Sequence, residues 1–124
     1  MKMKIQSLVL ALCMITVPAL AVSPLPPKME GQRNTIGGRS NKVEAELIQM
    51  EGSEKAKIRA TYWDGCIRTG ETIAEFKDGA WQFTIPAGAR CEEVSVVVRP
   101  VEGKNRLEGD FKTGRWNGTI YFEW

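Results

Sequence analysis

The sequence predicts an all-β domain, a small antiparallel β-sandwich or flattened barrel of seven or eight short strands with one disulfide. Three observations point there. Beyond the first 21 residues, no window of 11 residues spaces its apolar side chains as a helix would. Runs that alternate apolar and polar residues recur throughout, with Gly, Pro, Asn and Asp between them. And Asp78-Gly79, a strong two-residue turn signal, sits between two such runs.

Residues 1–21 read as a secretory signal peptide rather than as part of the fold. Met1-Lys2-Met3-Lys4 is a positive start, Leu8–Val17 is a short apolar run, and Ala19-Leu20-Ala21 is a small-x-small cleavage site. The style of this leader is bacterial, so the mature chain is expected in the periplasm or outside the cell. Of the 17 basic and 15 acidic residues, Lys2 and Lys4 belong to the leader. The mature chain is therefore balanced, and its charge gives no reason to expect nucleic acid or an anionic membrane surface as a partner. About 103 residues remain, enough for one core.

Residues 22–41 are expected to be a flexible lead-in. Pro24, Pro26 and Pro27 favour extended polyproline geometry, Gly31, Gly37 and Gly38 add freedom, and few side chains there have anything to bury. The single all-β domain is expected over 42–124. Its first strand is Lys42–Met50, where Val43, Ala45 and Leu47 alternate with Glu44 and Glu46. After a turn at Glu51–Glu54, Lys55–Trp63 continues with Ala56, Ile58, Ala60 and Tyr62 on one face and Lys57, Arg59 and Thr61 on the other. These two runs are expected to pair. Asp64-Gly65 either turns the chain, placing Trp63 opposite Cys66 and Tyr62 opposite Ile67, or starts a longer loop through Gly70; the preferred reading is a short return strand Cys66–Thr69.

The central hairpin is the firmest element. A type I′ turn at Asp78-Gly79 sets Lys77 opposite Ala80, Phe76 opposite Trp81, Glu75 opposite Gln82 and Ala74 opposite Phe83. Ala74, Phe76, Trp81, Phe83 and Ile85 then share one face. Pro86–Arg90 is a loop, because Pro86 has no N–H for a ladder. Val94–Val98 is β-branched and apolar, as a buried strand is. The last hairpin joins Asn105–Phe111 to Trp116–Trp124 through Lys112–Arg115. Setting Phe111 opposite Trp116 puts Gly109 opposite Gly118, leaving a notch that a core ring such as Trp81 would fill.

Cys66 and Cys91 flank the central hairpin, and an even pair in an oxidising compartment predicts a disulfide, worth roughly 3–4 kcal/mol. The chain has no histidine, which removes the commonest general base and metal ligand. No phosphate loop, nucleophile elbow or ligand spacing is present, so no cofactor, no metal and no catalysis are expected. Only paired carboxylates, Asp64 with Glu71 or Glu108 with Asp110, offer a thin hydrolase alternative.

The tryptophans carry the stronger hint. An aromatic ring beside Asp or Asn can hold a sugar by stacking and hydrogen bonding. Tyr62-Trp63-Asp64 is one candidate platform, and Trp116-Asn117 near Asp110 is another. Tyr121 lies on the outward face of the same hairpin. The leading expectation is a non-catalytic interaction domain that binds another envelope or extracellular protein through a sheet face, an edge or a loop. A carbohydrate-binding module is the alternative, and an inhibitor of a foreign hydrolase a weaker one. The mature chain is not expected to be embedded in a membrane.

Overall fold

The computed structural model describes residues 24–63, 67–88, 92–114 and 116–124, with the backbone alone for 62, 63, 67 and 68. Among these residues there are eight strands: β1 Lys28–Thr35, β2 Ser40–Met50, β3 Lys55–Trp63, β4 Ile67–Lys77, β5 Ala80–Ile85, β6 Val94–Pro100, β7 Arg106–Thr113 and β8 Trp116–Glu123. Each pairs antiparallel with the next, and β8 pairs with β1 over Glu30–Thr35, so the sheet closes into a barrel. That closure decides against the sandwich. It also removes the expected sheet edge, because the strands of a closed sheet all have neighbours on both sides. Cys66 and Cys91 lie outside the described residues.

The Asp78-Gly79 turn forms as expected. Asp78 has φ 54° and Gly79 φ 76°, the two positive values that a type I′ turn needs. Lys77, Phe76 and Glu75 face Ala80, Trp81 and Gln82. Three other expectations are corrected. The lead-in is structured from Lys28: β1 runs between β2 and β8 and buries Met29, Arg33 and Thr35. The return strand is the first part of the 11-residue β4, and Trp63 faces Ile67, so the connection is one residue longer than a two-residue turn. In the last hairpin Thr113, not Phe111, faces Trp116. A shift of two residues preserves which side chains point inward, so Leu107, Phe111, Ile120 and Phe122 are all buried, as alternation requires.

The interior is filled by unequal rows. On β2, β3 and β4, Ala45 faces Ala60 and Ala60 faces Gly70, while Ala56 faces Ala74. The remaining strands supply Trp81, Phe83, Phe111 and Phe122, with Val94, Val96 and Val98 from β6. Small rows opposite large ones let eight strands close on a packed core without a lumen. Trp81 is fully buried, edge-on to Phe76 with centroids 5.4 Å apart, and Phe83 lies 6.3 Å from Phe122.

Three inward positions admit no side chain. A Cβ at Gly31 would collide with the Tyr121 carbonyl, at Gly109 with that of Val97, and at Gly118 with that of Asn34. Backbone of the adjoining strand fills these places, so the expected notch and its covering ring are absent. Such glycines let strands close up where a barrel wall turns sharply.

The two ends differ. One carries the connections 51–54, 78–79 and 101–105 and the N-terminal approach to β1. There Leu25 is buried in the core, and the Leu47 N–H donates to the Pro27 carbonyl at 2.8 Å. Leu47, Met50 and Phe76 pack against the same core. The other end carries the connections 36–39, 64–66, 86–93 and 114–115.

Candidate functional site

At the second end the interior turns polar on β1 and β7, while Ile85 and Val94 keep it apolar on β5 and β6. Arg33 continues the inward row of Met29 and Gly31 and is only 4% exposed. Its Nη1 donates to Thr35 Oγ1 at 2.5 Å and its Nη2 to Asn41 Oδ1 at 2.7 Å. Its guanidinium carbon lies 5.2 Å from the centroid of the Phe111 ring. Thr113 is buried with them. Burying a guanidinium is costly unless its donors are satisfied, and these neighbours provide acceptors and a π face. The result is a polar layer over part of this mouth of the barrel.

Around that layer stands a rim. Ile36 is 74% exposed and Trp116 57% exposed. The Ile36 N–H donates to the Asn117 carbonyl at 3.1 Å, so the two apolar residues flank one backbone contact between β8 and the residue after β1. Trp116 belongs to the inward-pointing row of β8, but it is that strand's first residue and opens to solvent. The Glu92 carboxylate lies over Gly114, which has φ 51°, so the β5–β6 connection approaches the β7–β8 turn closely there.

On the outer wall beside this rim runs a trough of about 750 Å³. Ile36 and Val97 give it apolar surface, and Asn34, Asp110, Asn117 and Thr119 give it polar walls. Asn34 Oδ1 accepts from Ser40 Oγ at 2.5 Å, which leaves its amide as a donor. A second hollow of about 430 Å³ shares Asn34 and Thr119 and extends along β8 to Tyr121 and Arg106. The Arg106 guanidinium lies 4.0 Å over the Tyr121 ring, with Nε 2.6 Å from Glu108 Oε1 and Nη1 3.0 Å from Glu123 Oε2. The Glu108 hydrogen bond, helped by Glu123, holds the Arg106 guanidinium above its ordinary value.

The expected site residues therefore separate. Asp110 and Asn117 meet in the trough, Tyr121 lines its extension, and Trp116 stands on the rim. Tyr62 and Trp63 are described by backbone alone, and Asp64 lies outside the described residues. Glu108 shares a face with Asp110 but is engaged by Arg106, and Glu71 by Arg59 and Lys57 at 3.0 and 3.5 Å. Among the described residues no group of three His, Cys, Asp or Glu side chains could hold a metal ion. Sequence reasoning missed Ile36, Asn34 and Arg33. All three fall in the stretch read as a lead-in, and the only signal for them was the two-residue spacing from Met29 through Arg33 to Thr35.

Comparison with known proteins finds no matching family model, no similar curated protein and no similar solved structure.

Proposed function

We propose that this is a non-catalytic interaction protein of the periplasm or cell exterior that binds another protein through the rim of its loop-bearing end. The observation that carries this reading is the pair Ile36 and Trp116, two large apolar side chains left 74% and 57% exposed where the Ile36 N–H bonds the carbonyl of Asn117, the residue after Trp116. Exposed apolar residues ringed by polar ones are a common feature of protein contact surfaces, and tryptophan is over-represented among the residues that dominate their energetics. Connections at the end of a rigid barrel are where binding groups are usually carried. The outward rows also bear Lys57, Arg59, Glu71 and Arg106, not the apolar band that a lipid-facing barrel wall needs. Secretion rests on the leader-like residues 1–21, and a mature N-terminus at Val22 in the protein recovered from the envelope is its direct check.

The test compares the natural protein with a Trp116→Ser variant as baits in envelope extract. A partner captured in stoichiometric amount by the first and lost with the second, at unchanged melting temperature, is the expected result. Equal capture by both baits, or capture by neither, refutes the rim as the contact.

A further inference from the structure

We propose that the outer trough along β8 is a second binding site, for a neutral, hydroxyl-rich ligand: a short stretch of polysaccharide. The trough shares Ile36 with the rim but not Trp116. The chemistry of the lining argues for it. The apolar surface comes from Ile36 and the half-buried Val97. Around it stand neutral donors and acceptors, the amides of Asn34 and Asn117 and the hydroxyl of Thr119. The two charges present, Asp110 and Lys112, are opposite in sign and two residues apart on β7, so they project from the same face. Their fields largely cancel, and a charged ligand gains no net attraction there.

A sugar ring matches such a lining, with an apolar face to set on Val97 and hydroxyls at its edge for the amides and the carboxylate. An extended peptide matches it less well. Peptides that lie along sheets draw their affinity from pairing with a free edge, and this barrel is closed. The length of the trough adds to the argument. The two hollows, about 750 and 430 Å³, adjoin at Asn34 and Thr119, and together they extend along β8 from Ile36 to Tyr121. At the far end Arg106 covers one face of the Tyr121 ring, and both side chains line the second hollow. An elongated site of this kind takes a chain of sugars lying along the strand direction.

The experiment is an NMR titration of the isotopically labelled full protein with cellohexaose, maltohexaose and chitohexaose in turn. At least one is expected to shift the amides of Asn34, Ile36, Val97, Asp110, Asn117, Thr119 and Tyr121, with amides remote from the two hollows still. An Asp110→Ala variant is expected to bind about tenfold more weakly. Thr119→Trp, which fills the trough with a ring, is expected to abolish binding at an unchanged melting temperature. Trp116→Ser is expected to keep it, which separates this site from the rim. The proposal is overturned by silence with all three sugars to millimolar concentration, by shifts centred elsewhere, or by dextran sulfate binding in the trough where the neutral sugars do not.

Discussion

Trp81 and Trp116 both stand on inward-pointing rows of the same barrel, yet one is fully buried and the other 57% exposed. Trp81 follows the Asp78-Gly79 turn, at the end where short connections hold the strands together and Leu25 folds back into the core. Trp116 follows the β7–β8 turn, at the end where the inward rows of β1 and β7 finish in the buried polar residues Arg33, Thr35 and Thr113 while Ile85 and Val94 stay in the core. The same residue type in the same strand geometry is core at one end and surface at the other. What decides is how far the apolar filling of the barrel extends along its axis. One end is finished by hydrophobic packing alone, the other by hydrogen bonds on β1 and β2 together with the buried Ile85 and Val94, and the apolar Trp116 beyond them is left for something else to cover.

Substituting the two tryptophans tests that contrast most directly. Trp81→Ala is expected to cost about 3–5 kcal/mol of unfolding free energy, since it empties a fully buried site beside Phe76. Trp116→Ala is expected to change stability by less than about 0.5 kcal/mol, as exposed positions do. Chemical denaturation followed by circular dichroism measures both. Comparable losses for the two variants would mean that the ends are built alike.

Leu25 comes next. It lies ahead of β1, in a stretch expected from sequence to be mobile, yet it is 7% exposed. Leu25→Ala is expected to cost about 2–3 kcal/mol, the low end of the range for buried leucines, because a terminal segment can partly collapse into the space. Hydrogen exchange is the sharper readout. The Leu47 amide, bonded to the Pro27 carbonyl, should exchange faster in the variant while amides near Thr113 do not. An unchanged Leu47 amide would show that Leu25 does not close that end.

These contrasts also mark how far the sequence could be read. The central hairpin was legible because turn chemistry and alternation coincide at Asp78-Gly79, and the register follows from two residues alone. The last hairpin was legible in its faces and not in its register. Its turn lacks so strong a dipeptide, and a slip of two residues leaves every side chain on its proper side. β1 was not legible. Its inward row reads Met29, Gly31, Arg33, Thr35, a single hydrophobe followed by a glycine whose side-chain space a neighbouring carbonyl fills and by two polar residues that hydrogen-bond each other. Nothing local distinguishes that from a loop. The strand exists because β2 and β8 hold it from both sides, and its partner β8 lies at the far end of the chain. Barrel closure is likewise non-local, so sandwich and barrel looked alike. The trough inherited the same limit: Asp110 and Asn117 were found on β7 and β8, while Asn34 and Ile36 were lost with β1.

The polar layer gives the third prediction. Asn41→Ala removes the acceptor of the Arg33 Nη2 hydrogen bond and is expected to cost about 1.5–3 kcal/mol, the range for hydrogen bonds to charged groups. The loss should fall on the loop-bearing end, seen as faster exchange near Thr113 with the Leu47 amide unmoved. A variant as stable as the natural protein would mean that Asn41 does not help to hold the layer.

The smallest effect belongs to neither end but to the outer wall between them. Glu71 on β4 faces Arg59 and lies 3.5 Å from Lys57, both on β3. The Arg59 hydrogen bond, with the Lys57 charge behind it, holds the Glu71 carboxyl below its ordinary value. The sign follows from linkage. A carboxyl that ionises more readily in the folded chain than in the unfolded one binds fewer protons when folded, so the ion pair favours folding at pH values above the ordinary carboxylate range. That contribution is lost as the pH falls through the folded-state value. Because the group lies at the surface and is screened by solvent and salt, the effect is small, and it should shrink further as ionic strength rises. Melting temperature recorded against pH for the natural protein and for Glu71→Gln gives the test. The two curves are expected to differ slightly at neutral pH and to converge in acid, and a difference that persists or grows in acid would show that the ion pair is not its source.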